Sequence, residues 1–140
     1  MTIALGGADA LLLVGDSERN ADLYYATRFR APGTFFFLWT SKAKIAVISD
    51  LELDRAKVQA QVDQVLSHTA FVEELRRRGQ ERPAMHQVML AVLQKLDLQH
   101  LQISAEFPFE LADQLRQAGI QLQTRPAPLF PQRQIGRAHV

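Results

Sequence analysis

Asp50, Glu52 and Asp54 stand two residues apart and could present three carboxylates to a cation from a loop. A calcium loop of that kind also needs a glycine at its tight turn and a closing bidentate glutamate, and neither is found here. The histidines are His68, His86, His100 and His139; they form no H-E-x-x-H and no tight cluster with acids, so no zinc-ligand spacing can be assigned. His86 lies beside an apolar helical stripe, the place of a packing or solvent-edge histidine, and His68 and His100 fall near element ends, where a surface position is expected. Glu73-Glu-Leu-Arg-Arg-Arg78 puts acids before bases along a helix, which complements the helix dipole and reads as a solvated face, with a small anion-binding patch as its functional counterpart. Gly6-Gly7 and Gly15-Asp16 build neither a dinucleotide nor a phosphate loop, and no G-x-S-x-G elbow occurs. The sequence therefore assigns no catalytic residue and no metal ligand.

The elements that would position any site must come from one compact domain, which is what 140 residues with 47% hydrophobic content supply. Sixteen Lys and Arg against fifteen Asp and Glu give a formal charge of +1, so there is no broad basic surface for nucleic acid or anionic lipid. Cysteine is absent, which excludes disulfides and thiolate chemistry and agrees with a reducing compartment. The N-terminus lacks a basic leader and Ala10–Val14 is too short to span a bilayer, so a cytoplasmic protein is expected.

Ala10-Leu-Leu-Leu-Val14 is apolar on consecutive residues, as in a strand buried on both faces, and Asp16 or Ser17 can cap the next element. A short helix is expected over Asn20–Thr27, broken by Arg30-Ala-Pro-Gly33. Thr34–Thr40 and Lys44–Ser49 are joined by only Ser41-Lys-Ala43, a link too short for a parallel crossover, so they form a hairpin. Asp50–Val58 reads as a helix with Asp50 as N-cap, or as an irregular loop. Ala70–Arg78 is a helix ended by Gly79. Pro83 suits the first turn of the next helix, in which Met85, Val88, Met89, Val92, Leu93 and Leu96 recur every three or four residues as one buried stripe. Leu98–Ala105 alternates as a strand, Phe109–Ala118 is a helix stopped by Gly119, and Ile120–Thr124 is a final strand. The expected fold is α/β: a mixed sheet of about five to six strands with helices on both faces and one hairpin at about 34–49. Arg125–Pro131 is proline-dense and expected to be extended.

The segment Asn20-Ala-Asp-Leu-Tyr-Tyr-Ala-Thr-Arg-Phe29, followed by Phe35–Trp39 and Lys44–Asp50, resembles the N-terminal domain of the creatinase/aminopeptidase P family, the pita-bread metallopeptidases. There an N-x-x-Y-L-T-G-F-like motif leads into a hairpin of buried strands, and the matching positions here are Asn20, Tyr25, Thr27 and Phe29. The resemblance runs from about Asp9 to Gln134 and also implies a strand over Gln64–Ser67. It departs at Ala26 and at Arg28, where Arg replaces Gly and changes both backbone freedom and charge. The resemblance implies a non-catalytic domain that shapes the substrate cleft and subunit interface of a Xaa-Pro aminopeptidase or dipeptidase-like enzyme. It further implies a Mn or Zn type metal in a separate catalytic domain of the same native chain, and a homodimer. On the same resemblance Arg28, Phe29 and Arg30 line a substrate pocket, Arg as carboxylate clamp and Phe as apolar wall. Tyr25 and Phe29 as core aromatics with two solvated arginines is the structural alternative.

Domain limits of 1–124 are expected, with 125–134 as the proline-rich start of a linker. Ile135-Gly-Arg-Ala-His-Val140 is what a common sequencing adapter encodes (ATC GGA AGA GCA CAC GTC), so residues 135–140 are expected to be adapter-derived and the native gene to continue past Gln134. A free-standing α/β interaction or small-ligand module is the alternative. A receiver-like reading, with Asp50 as phosphoacceptor and Ser104 as the hydroxyl residue, is disfavoured because the strand before Asp50 belongs to a hairpin and not to a parallel crossover.

Overall fold

The computed structural model describes residues 2–131. Residues 10–48 set the centre of the molecule, because three successive strands there are apolar at nearly every position and so require cover on both sides. They are β1 (Ala10–Gly15), β2 (Phe35–Thr40) and β3 (Lys44–Ile48), and the short helix α1 (Ala21–Thr27) connects the first two. The chain continues through α2 (Asp50–Gln59), β4 (Gln64–Ser67), α3 (His68–Arg77), α4 (Met85–Leu96), β5 (His100–Ile103), α5 (Phe109–Gln117) and β6 (Gln121–Thr124). The six strands form one mixed sheet in the order β4-β3-β2-β1-β5-β6. β2 is antiparallel to both β1 and β3, while β1–β5, β3–β4 and β5–β6 are parallel. The hairpin turn is tied by Thr40, whose Oγ1 accepts the amides of Lys42 (3.1 Å) and Ala43 (2.9 Å).

Strand alternation sorts the apolar residues between two cores. Phe35, Phe37 and Trp39 of β2 face one way, with Leu11, Leu13, Ala46 and Ile48, and are covered by Leu23 and Ala26 of α1 and Ala56 of α2. Phe36 and Leu38 face the other way, with Ala10, Leu12, Ile45 and Val47, against α3, α4 and α5. The expected stripe of α4 is seated there, with Val88, Met89, Val92 and Leu93 buried. Each such side chain contributes about 1.5–3 kcal/mol by leaving water. Phe35, Phe36 and Phe37 are all buried, so the triplet leaves no apolar patch for a partner.

The helix starts differ from the expected caps. Asp16 and Ser17 do not cap α1; Asn20 does, its Oδ1 accepting the Leu23 amide at 3.0 Å. Asp50 lies inside α2, whose N-cap Ser49 makes no side-chain capping bond. α3 begins at His68, earlier than Ala70, because Ser67 Oγ accepts the Ala70 amide at 2.9 Å. Pro83 precedes α4 instead of entering its first turn, and Gln87 Oε1 reaches back to the Ala84 amide (2.7 Å). Asn20→Ala should therefore cost about 1 kcal/mol in urea unfolding, the usual worth of an N-cap; an unchanged midpoint would show that the bond contributes nothing.

The proline-rich stretch after β6 turns back onto the sheet. Leu129 and Phe130 belong to the α1-side core, so packing continues past residue 124. The tail 135–140, with His139, lies outside the described residues.

Candidate functional site

Thr27 ties down the segment that carries Arg28, Phe29 and Arg30. Its fully buried hydroxyl donates to Leu23 O (2.9 Å) and accepts the Phe29 amide (3.2 Å), and its carbonyl accepts the Gln61 amide (2.8 Å). The next turn is held by buried Ser17, whose Oγ accepts the Ala31 amide at 2.9 Å. Arg28 closes α1 in the left-handed conformation (φ 53°, ψ 31°), its amide donating to Tyr24 O at 2.6 Å. A side chain held there costs roughly 1 kcal/mol or more, and glycine avoids that cost. At Gly15 (φ 154°) a Cβ would stand 3.1 Å from the Asn20 side-chain nitrogen, so any larger residue there would press on the side chain that caps α1.

The structure splits the three sequence-selected residues. Phe29 is 1% exposed and packs edge-on against Phe35 (6.3 Å), so it is a core ring and not an exposed wall. Arg28 and Arg30 point outward onto the tyrosines of α1. The Arg28 guanidinium sits 4.9 Å from the Tyr25 ring and 6.0 Å from Tyr24, and that of Arg30 lies 4.3 Å from Tyr24. Two further cations reach the same region. Arg55 stacks on Phe29 at 4.4 Å while donating to Arg30 O at 2.8 Å, and Glu52 balances its charge at 2.8 Å. Lys44 Nζ donates to Ala26 O (3.0 Å) over the Trp39 ring (4.4 Å). Burial pulls the Lys44 ammonium below its ordinary range, nearby Asp63 opposes that shift and Arg28 adds to it. Guanidiniums that stack on rings and keep their N–H groups outward are the kind of group that can bind an oxyanion. Arg55 and Lys44 were missed because they lie in α2 and β3, and nothing in their own neighbourhoods points to α1.

The other candidates do not converge. Asp50 accepts from Ser67 Oγ (2.5 Å), Glu52 holds Arg55, and Asp54 is exposed on the same helix. Among the described residues no three His, Asp or Glu side chains gather as a metal-ligand group. Glu74 pairs with Arg77 (2.7 Å) and Arg78 (3.3 Å) on an exposed helix face. That face rims a groove of about 490 Å³ whose lining includes Phe71, Leu75, Ala91 and Lys95.

The two described histidines near element ends are half-buried and not at the surface as expected. His100 starts β5, its amide donating to Asp9 Oδ2 at 3.0 Å. His68 packs edge-on against Phe36 (6.3 Å), and its Nε2 is buried without a protein partner. His86 Nδ1 is likewise buried and unpartnered beside the α4 stripe. Burial holds the His68 imidazole below its ordinary 6.5. The unfolded chain therefore takes up the proton first, and stability should decline as pH falls below about 6.5 towards the lower folded-state value. His68→Phe, measured by thermal melts between pH 5 and 8, should flatten that limb; an unaltered slope would remove His68 as its source.

No protein-family model matches the sequence, and no curated protein is significantly similar to it. Solved structures do match. An aminopeptidase P from Streptococcus thermophilus superposes with a TM-score of 0.61 at 15% identity, over 86% of this chain and 81% of that one. A Thermotoga maritima X-Pro aminopeptidase gives 0.64 at 12% identity, over 85% of this chain and 31% of that one. The fold is shared with these Xaa-Pro peptidases. A Pyrococcus horikoshii prolidase repeats the pattern, with a TM-score of 0.57, 18% identity, 84% of this chain and 28% of the prolidase. The chain thus spans less than a third of two of these Xaa-Pro peptidase structures and most of the third.

Proposed function

We propose that this chain is the non-catalytic N-terminal domain of a Xaa-Pro peptidase-like metallohydrolase, where it shapes the substrate cleft and the subunit interface. The observation that supports this most directly is coverage: about 85% of the chain superposes on only 31% of the Thermotoga enzyme. The remainder of such an enzyme is where a catalytic domain of the same native chain belongs, with its divalent Mn or Zn type metal. The assembled enzyme is a cytoplasmic homodimer, and Arg28 and Arg30 face the carboxylate of its substrate. Phe29 supports them from the core.

The purified chain should neither cleave Xaa-Pro peptides nor bind Mn²⁺ or Zn²⁺ more tightly than about micromolar, or ~8 kcal/mol. Calorimetric binding tighter than that, or any hydrolysis, would place the chemistry in this domain and refute the division of labour. The DNA after the Gln134 codon separates this function from a free-standing interaction module. An in-frame continuation carrying metal ligands supports the enzyme, and an immediate native stop supports the module.

A further inference from the structure

Seven side chains stack in an unbroken series across the α1 face. Lys44 covers Trp39 (4.4 Å), Trp39 meets Phe130 (5.6 Å), and Phe130 stacks on Tyr25 (5.0 Å, 28° between planes). Arg28 lies over Tyr25 (4.9 Å) and within 6.0 Å of Tyr24, which Arg30 covers at 4.3 Å. Six members come from β2, β3, α1 and the loop after it. Phe130 alone arrives from the far end of the chain, on a segment separately clasped by Arg125. That guanidinium donates to Leu129 O (3.2 Å) and to Gln102 Oε1 (2.8 Å), and it also reaches Ala4 O. Gln102 in turn donates to Leu5 O at 2.7 Å. Leu129 and Phe130 are consequently buried, at 5% and 4% exposure.

We propose that Arg125–Phe130 is a strap whose seating sets the geometry of the Arg28 and Arg30 pair, so that strap closure and oxyanion binding at the pair reinforce one another. This rests on the assignment of the two arginines as anion-facing. Half-buried Tyr25 is stacked with Phe130 and carries the Arg28 guanidinium 4.9 Å from its ring centre, so fixing the ring through Phe130 limits where the guanidinium can rest. Neither Arg28 nor Arg30 takes part in the ion pairs seen among the described residues, which are Glu52–Arg55 and Glu74 with Arg77 and Arg78, so both keep charge for a ligand. A preorganised pair loses less freedom when it binds, and linkage makes the effect reciprocal: the anion must stabilise the seated strap by the same factor.

The test uses the intact chain, observing arginine Nε–H signals by NMR during titration with citrate and, separately, with inorganic phosphate. In the wild type either probe should shift the Arg28 and Arg30 signals, and bound citrate should protect Trp39, the single tryptophan, from acrylamide quenching. Phe130→Leu keeps apolar volume but removes the ring; it should weaken binding roughly two- to five-fold, the size of one exposed cation–π contact. Phe130→Tyr should restore affinity. Val92→Ala loosens the core on the opposite face of the sheet, away from the strap and the ring series, and should leave affinity unchanged. Wild-type binding that Phe130→Leu does not alter, or that Val92→Ala weakens equally, overturns the strap while leaving the anion-facing pair intact. Failure of both probes to shift either arginine in the wild type overturns the pair, and the strap with it.

Discussion

Phe29→Ala should destabilise the domain by about 3–5 kcal/mol, the cost of removing a fully buried aromatic ring and leaving a cavity. The ring is 1% exposed, meets Phe35 edge-on at 6.3 Å and carries Arg55 on its face at 4.4 Å. Truncation would remove contacts from the sheet side and from α2 together. Against a total stability of about 5–15 kcal/mol for an ordinary domain, a loss of this size is a large fraction. Urea titration followed through Trp39 measures it directly. A loss under about 1 kcal/mol would mean that the ring is not a core element, and its role as an apolar wall of the substrate site would return.

In the complete enzyme, Arg28→Ala should lower kcat/KM about 10- to 100-fold, since a charged hydrogen bond contributes roughly 1.5–3 kcal/mol and each factor of ten is about 1.4. Stability should behave differently. Arg28→Gly relieves the left-handed backbone at φ 53°, worth about 1–2 kcal/mol, and it loses a cation–π contact worth roughly 0.5–1. The glycine variant should thus be between about zero and 1.5 kcal/mol more stable than the parent while losing the same activity as the alanine variant. Steady-state kinetics and thermal melts on both variants decide the matter. Unchanged kcat/KM, or activity lost only in step with unfolding, would show Arg28 to be a solvated helix end with no part in the site.

A strained arginine at a position that glycine would fill is legible in the sequence only as a departure from a motif. The departure marks where to look and not what holds the residue there. Arg55 bracing Arg30 O, Lys44 beneath the end of α1 and Phe130 behind Tyr25 are joined to the loop by the sheet and by the returning strap. No spacing within residues 20–30 could have pointed to them.

The sequence by itself determined the α/β class, the hairpin and the stripe of α4, because each rests on local periodicity or on a connection too short for any other geometry. It also determined that Phe36 must oppose Phe35 and Phe37, since a strand allows nothing else. Only the tertiary structure decided that both faces of that triplet are covered, that Phe29 is interior while its two arginine neighbours are not, and that Leu129 and Phe130 complete the core. Burial is a property of what packs against a residue. For Phe29 and Phe130 the partners lie on strands and helices distant in the chain, and local pattern carries no record of them.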